Sequence, residues 1–405
     1  MKNKELEEKG QRLREQILLR LDLSRELSDE EVKDVIDDVI IESSKEAYIG
    51  LAEKKQLQKM LFDTMRRLDI LQELMDDPEV TEIMINGPEH IFVERKGRLT
   101  KWDKHFSSKQ RLEDMVQQIV SFSNRAVSKA RPIADARLPD GSRVNVVLDP
   151  VALNGPVVTI RRFPRDPITM DQLIEWGSVT PEAVELLREA VTIGQNLFIS
   201  GGTGSGKTTF LNALSQYIPQ QERVITIEDN AELQIRHIPN LVRLEARNAN
   251  TEGTGEITIR DLIRSALRMR PNRIVVGEVR GGEAVDMLQA MNTGHDGSLS
   301  TGHANSTADM VSRLEMMVLM GIEIPLEAVR RQIASAINLF VHLGRLPDGS
   351  RRVLEITRII GYEKGSIRLE PLFCYEARAG APGGLQRCRE GQNRRGRKKS
   401  GEGEG

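Results

Sequence analysis

Apolar positions change their period several times along the chain, and each change marks a boundary. Val32, Val35, Ile36, Val39 and Ile40 recur three and four residues apart. Leu57, Met60, Leu61, Met65, Leu68 and Leu71 do the same, so residues 1–76 are expected to be helical. Ser28-Asp29-Glu30-Glu31 supplies a capping box ahead of the first set. The heptad does not persist, which favours a small helical bundle over an independent coiled coil. From Val80 the pattern turns strand-like. Val80–Gly87 ends in the turn pair Asn-Gly, and His90–Glu94 with Gly97–Leu99 reads as a further strand pair. A helix over about Ser108–Asn124 follows, then a hairpin over Ala136–Val147 turning at Asp140-Gly141, then Pro156–Phe163. These pieces predict an α/β N-terminal domain over residues 77–163. Phe163-Pro164-Arg165-Asp166-Pro167 contains two prolines and opens a linker over residues 164–170.

From about Met170 to Tyr375, apolar runs alternate with helical periods. That alternation predicts a parallel sheet covered by helices on both faces, in a domain over residues 171–375. Residues 376–405 are glycine-rich and basic and bury too little apolar surface to fold, so a disordered tail is expected.

The run Asn196-Leu197-Phe198-Ile199-Ser200 leads into Gly201-Gly202-Thr203-Gly204-Ser205-Gly206-Lys207-Thr208-Thr209, and Phe210–Leu214 then reads as helix. Strand, glycine loop and helix are the setting in which G-x-x-x-x-G-K-[ST] binds a nucleotide. Glycines let backbone N–H groups turn inward around phosphates, and the helix N-terminus adds positive potential. Lys207 is placed to reach β- and γ-phosphates, and the Thr208 hydroxyl to ligate Mg²⁺.

Three other segments suit this loop. Val224–Ile227 is an apolar run ending in Glu228-Asp229, and Glu228 is a candidate to hold Mg²⁺ or orient water. Ile274-Val275-Val276-Gly277-Glu278 ends in the acid best suited to polarise an attacking water. Thr293–Asn305 brings His295 and His303 among glycines, and a histidine after Leu299-Ser300-Thr301 can donate to a γ-phosphate or sense its loss. Arg264, Arg268 and Arg270 read as a solvated face or a subunit contact.

Composition narrows the function further. Of 405 residues 39% are apolar and only 4% aromatic, so aliphatic packing carries the cores, and a net charge of −2 argues against nucleic acid as a partner. No run is long enough to span a membrane, and the charged N-terminus is no secretory signal. Cys374 and Cys388 form no metal pattern and are read as reduced thiols of a cytoplasmic protein.

Together the four segments resemble the secretion-superfamily ATPases that power type II and type IV secretion and pilus assembly. Gly201–Thr208, Thr226–Glu232, Ile274–Arg280 and Thr293–His303 look like that family's Walker A loop, acidic box, atypical Walker B strand and histidine box. The N-terminal segments look most like the CpaF/TadA branch of tight-adherence pili, close to VirB11-type ATPases. Gly281-Gly282-Glu283 after Arg280 and the lack of a four-cysteine insert fit that placement. The resemblance implies a RecA-like P-loop core behind a separate α/β N-terminal domain, with ATP and Mg²⁺ bound between them in a homo-hexameric ring. It implies that Arg137, Arg143, Arg161 and Arg162 close on the phosphates, and that Arg280 meets phosphate or a neighbouring subunit. It also implies a cytoplasmic protein at the inner face of the membrane, recruited by an integral membrane platform protein.

Overall fold

The computed structural model describes residues 2–21, 27–46, 48–95, 97–122, 127–163, 167–247, 254–378 and 381–388. The chain divides into two compact units, Met1–Arg165 and Asp166–Gly405.

In the first unit, α1 (Lys2–Arg20), α2 (Asp29–Glu46) and α3 (Leu51–Arg66) form a small bundle. Its core joins Leu13 and Ile17 to Val32, Ile36, Val39, Ile40, Leu57 and Leu61. The capping box forms: the Ser28 amide donates to Glu31 Oε2 at 2.8 Å, and the Glu31 amide to Ser28 Oγ at 3.2 Å. A 3-10 turn (Asp69–Leu71) and α4 (Gln72–Asp76) lead into the sheet. Its strands are β1 (Val80–Asn86), β2 (Ile91–Arg95), β3 (Arg98–Lys101), β4 (Ile133–Arg137), β5 (Arg143–Val147) and β6 (Val157–Arg161), in the order β3-β2-β1-β6-β5-β4. All the pairings are antiparallel. One face buries Ile83, Ile85, Val93, Val144, Val146, Val158 and Ile160 against Leu112, Val116 and Ile119 of α5 (Lys109–Ser121). The alternation leaves Met84, Phe92, Asn145, Thr159 and Arg161 on the other face.

The second unit holds α6 (Met170–Glu175), α7 (Pro181–Thr192), β7 (Leu197–Gly201), α8 (Lys207–Ser215), β8 (Val224–Glu228), β9 (Leu241–Glu245), α9 (Ile259–Ala266), β10 (Arg273–Val276), α10 (Ala284–Asn292) and β11 (Leu299–Gly302). Then come α11 (Thr307–Gly321), α12 (Leu326–Ala336), β12 (Leu339–Arg345), β13 (Arg351–Glu363), β14 (Ser366–Arg378) and β15 (Ala381–Arg387). The nine strands run in the order β15-β14-β13-β12-β7-β11-β10-β8-β9. Strands β7, β8, β10 and β11 are buried throughout, as strands sandwiched between helical layers must be. Leu197, Ile199, Val224 and Val275 face α6, α7 and α8 through Leu173, Leu187, Phe210 and Leu214. Phe198, Ile225, Ile227 and Val276 face the opposite layer through Ile263, Leu288, Leu314 and Ile333.

The expected parallel sheet is found only from β9 to β12. Strands β12 to β15 pair antiparallel, because short turns rather than crossover helices join them. The end of the chain also differs from expectation. Strand β14 runs through Arg378, and β15 adds seven residues that pair with it and bury Leu385 in the core. Residues 389–405 of the expected tail lie outside the described residues. The two cysteines, read as separate reduced thiols, are joined as a disulfide across this hairpin, with Cα atoms 5.9 Å apart. Pairing of β14 with β15 brings them together, which spacing in sequence does not reveal. Among the described residues no helix is long and apolar enough to cross a membrane.

Candidate functional site

Strand β7 ends at Gly201, and the loop 201–206 delivers the chain to α8 at Lys207. Two glycines are required by geometry. A Cβ on Gly201 would sit 2.5 Å from Leu343 O and 2.6 Å from Ser205 Oγ. Gly206 caps α8 at φ 92°, a left-handed conformation that side chains resist. Gly202, Thr203, Gly204 and Ser205 complete the loop, and Thr208 and Thr209 lie in the first turn of α8.

Lys207 is buried, and its Nζ donates to Gly201 O at 3.2 Å and Gly202 O at 3.1 Å. It also lies 3.2 Å from His303 Nδ1. Burial lowers the pKa of the ammonium, and the charge of Glu278 works against that shift.

Strands β11 and β10 are the next two in the sheet from β7 and parallel to it, so their C-terminal ends open on the same edge. Glu278 follows β10, and His303 follows β11. Thr301 Oγ1 donates to Gly277 O at 2.7 Å, and the Val279 amide to Thr301 O at 2.9 Å, which ties the two segments together. His303 Nε2 then lies 3.0 Å from Glu278 Oε1. Burial lowers the histidine pKa, Glu278 opposes the shift, and Lys207 adds to it. A neutral ring accepts from Lys207 at Nδ1 and turns its Nε2 proton to the carboxylate. Arg280 Nη2 donates to Glu278 Oε2 at 2.8 Å, and its Nη1 lies 3.5 Å from Asp229 Oδ2. Lys207, His303, Glu278 and Arg280 therefore form one chain of alternating donors and acceptors beside the phosphate loop.

Other expected site residues are placed differently. Glu228 is only 3% exposed, and its Oε1 accepts from the Glu232 and Leu233 amides at 2.8 and 2.9 Å. The carboxyl thus anchors the chain that follows β8 through Oε1, while its buried Oε2 has no hydrogen-bond partner among the described residues. Burial raises its pKa from 4.5 to about 7, against the pull of those amides and Arg243. Between these values the folded chain keeps a proton that the unfolded chain has lost. Stability therefore falls as pH rises through that window and is level above it. Glu228→Gln keeps the acceptor and removes the charge. Urea unfolding should show the variant close to wild type at pH 4.5 and more stable at pH 8 by on the order of 2 kcal/mol. Equal pH slopes for the two proteins would disprove the assignment.

His295 corrects a second expectation. It precedes β11, at the sheet edge opposite the phosphate loop, and its Nδ1 lies 3.3 Å from Ala290 O at the end of α10. In the first unit, Arg137, Arg143 and Arg161 stand in register across β4, β5 and β6. Arg162 is not available to a phosphate: its guanidinium donates to Leu74 O at 3.1 Å, Val80 O at 3.0 Å and Met75 O at 2.7 Å, and to Asp77 O. It closes the last carbonyls of α4. Arg264, read as solvated or at a subunit contact, is exposed, and it joins Arg260 on the buried Asp286, at 2.8 and 2.7 Å.

Two residues near the loop escaped the sequence reading. Arg351 Nε donates to Gly204 O at 2.9 Å. It ends the hexapeptide Leu346-Pro347-Asp348-Gly349-Ser350-Arg351, and Leu138–Arg143 has the same six residues. Both copies fold alike: Ser142 and Ser350 donate to Asp140 and Asp348, and the Leu138 and Leu346 amides to the Ser142 and Ser350 carbonyls. That repeat was the available signal. His342, buried on β12, had none.

A phosphate loop between a buried parallel strand and a helix, with an acid and a histidine on the two strands beyond, defines a P-loop nucleotide-hydrolysing core. Residues 65–398 match the family model described as type II/IV secretion system protein, and the chain belongs to that family. It is an ATPase. A Mycobacterium tuberculosis protein provisionally named a conjugal transfer protein is 37% identical over 295 residues, 71% of this chain and 83% of that protein. The type IV secretion system protein VirB11 of Brucella suis is 34% identical over 316 residues, 70% and 87% of the two chains. The pilus retraction motor PilT, solved with bound ADP, shares the fold at a TM-score of 0.55 and 22% identity, over 73% of this chain and 83% of its own.

Proposed function

We propose that this chain is the ATP-hydrolysing subunit of a homo-hexameric motor that drives assembly of a tight-adherence (Flp-type) pilus of the CpaF/TadA branch or type II-like protein secretion. The observation that carries the reading is the continuous contact from Lys207 through His303 and Glu278 to Arg280 at the phosphate loop. In it Lys207 holds the β- and γ-phosphates, Glu278 takes the proton of an attacking water, and His303 sits between them to sense the γ-phosphate. Gly201 to Thr209 wrap the phosphates. Thr208 would hold Mg²⁺ together with phosphate oxygens. Glu278 Oε1 faces His303 Nε2 at 3.0 Å and Oε2 meets Arg280, which supports the reading of a carboxylate held ready for a water. Bound Mg²⁺ would supply charge neutralisation.

Arg137, Arg143 and Arg161 stand in register across β4, β5 and β6. In this reading Arg137, Arg143 and Arg161 close on the phosphates, and repeated closure converts hydrolysis into movement. An integral membrane platform protein recruits the ring to the cytoplasmic face and receives the force. Nucleic acid is not a partner.

The similarity to Brucella VirB11 favours a second reading, an ATPase of a type IV secretion system. Neighbouring prepilin and membrane-platform genes would select the first, and conjugation genes the second. A third outcome, an assembly scaffold that binds ATP without turnover, is separated by a phosphate-release assay. The motor reading expects Mg²⁺-dependent release from a particle with the mass of six chains by light scattering. Binding without release, even with the membrane partner supplied, would leave the scaffold.

A further inference from the structure

Gly302, Ser200 and His342 lie side by side in register on β11, β7 and β12. Ser200 is the last residue before the phosphate loop, and Gly302 the last before His303. On this row Ser200 Oγ and His342 Nδ1 are 2.9 Å apart, and both residues are buried. The backbone of Asn305, two residues past His303, attracts a proton on the same ring. The ring therefore faces the strand that opens the phosphate loop and the segment that carries His303.

We propose that His342 is a positioning residue that holds the His303 segment against the phosphate loop, so that His303 stays between Lys207 and Glu278. The inference rests on the role assigned to His303 above. A neutral ring can accept from Ser200 Oγ at Nδ1 and keep its Nε2 proton for the Asn305 carbonyl. Burial favours that form, since it lowers the pKa of His342, while Glu355 on β13, Asp309 on α11 and the Asn305 carbonyl pull the other way and Lys207 on α8 assists. A serine alone would not reach both segments. An aliphatic side chain would fill the space and leave Ser200 and Asn305 without this partner. His303 meets Lys207 and Glu278 at 3.2 and 3.0 Å, so a shift of its backbone by about 1 Å breaks one contact or the other, at a cost of about 10²-fold in rate.

The test is steady-state ATP hydrolysis by the full chain, with thermal unfolding measured alongside. His342→Leu should lower kcat about ten- to hundred-fold with KM for ATP within about two-fold. His342→Gln, which can still accept and donate, should recover most of that loss. In a His303→Ala background, His342→Leu should change kcat by less than about two-fold, because its effect runs through the missing imidazole. The same fold loss in both backgrounds, or wild-type kcat in a folded His342→Leu, would overturn the inference. Full turnover by His303→Ala alone would reject the role of His303 itself, and this inference with it. If the leucine variant does not fold, Ser200→Ala decides: it should lower kcat in the wild-type background and not in His303→Ala, and equal losses overturn the proposal.

Discussion

Glu278→Gln should leave ATP binding within a few-fold of wild type while lowering turnover by about 10²–10⁴-fold, the usual contribution of a general base. The glutamine is isosteric, so it can still accept from Arg280 Nη2, now 2.8 Å from the carboxylate. It can also remain beside His303 Nε2, at 3.0 Å in the native chain. What is lost is the capacity to take a proton from water. Lys207→Ala should behave differently and lose binding with turnover, because its ammonium is the phosphate contact. That substitution also leaves the Gly201 and Gly202 carbonyls and His303 Nδ1 without their donor. Binding of a fluorescent ATP analogue and phosphate release, measured on the same preparations, separate the two residues. A Glu278→Gln protein that turns over at wild-type rate would show that another group activates the water.

Arg273→Ala should destabilise the second unit by about 3–5 kcal/mol, the cost of breaking a buried ion pair. Arg273 opens β10 and is 2% exposed. Its guanidinium pairs with both oxygens of Glu222, Nη2 to Oε1 at 2.8 Å, and donates to Val191 O at 2.6 Å. One planar group thus joins the end of α7, the approach to β8 and the start of β10. Arg273→Lys should recover little, since an ammonium cannot make the two parallel bonds to the carboxylate. The group lies at the start of β10, at the edge away from the phosphate loop, so kcat per folded molecule should hardly change. Urea unfolding and phosphate release on Arg273→Ala test both statements. A normal urea midpoint would mean that Glu222 and Val191 are satisfied by water, and a lost kcat in fully folded protein would mean the edge is coupled to the site.

The contrast between these two residues shows what was legible in the sequence. Lys207, Glu278 and His303 each sit just past a short apolar run, and in a parallel sheet such positions share one edge. A local pattern therefore determined a global neighbourhood. His295 failed the same logic because β11 lies between it and His303, and a strand carries the chain about 3.3 Å per residue from one edge of the sheet to the other. Arg162 failed because its partners are backbone carbonyls, which no residue letter reports. The burial of Glu228 and its two amide donors past β8 were likewise invisible in the letters. His342 is 142 residues from Ser200, and only the pairing of β12 with β7 brings them together. The twin Leu-Pro-Asp-Gly-Ser-Arg hairpins were visible as text, but their meaning depends on one of them resting on the phosphate loop.

Among the described residues, β15 is one of the two edge strands of the large sheet, with β9 at the other edge. An open edge invites a strand from another molecule, and the invitation grows with length, flatness and apolar character. Strand β15 offers little of this. Pro382 has no N–H to donate, Gly383 and Gly384 bring no side chains to a neighbour, and Arg387 is held 3.4 Å from Glu182. It covers β14, whose Leu372, Phe373 and Tyr375 would make a far stickier border. The residues that made this segment look unable to fold are those that make β15 a poor template for a further strand. Where many copies of one chain meet, β15 serves as a hem on its side of the sheet.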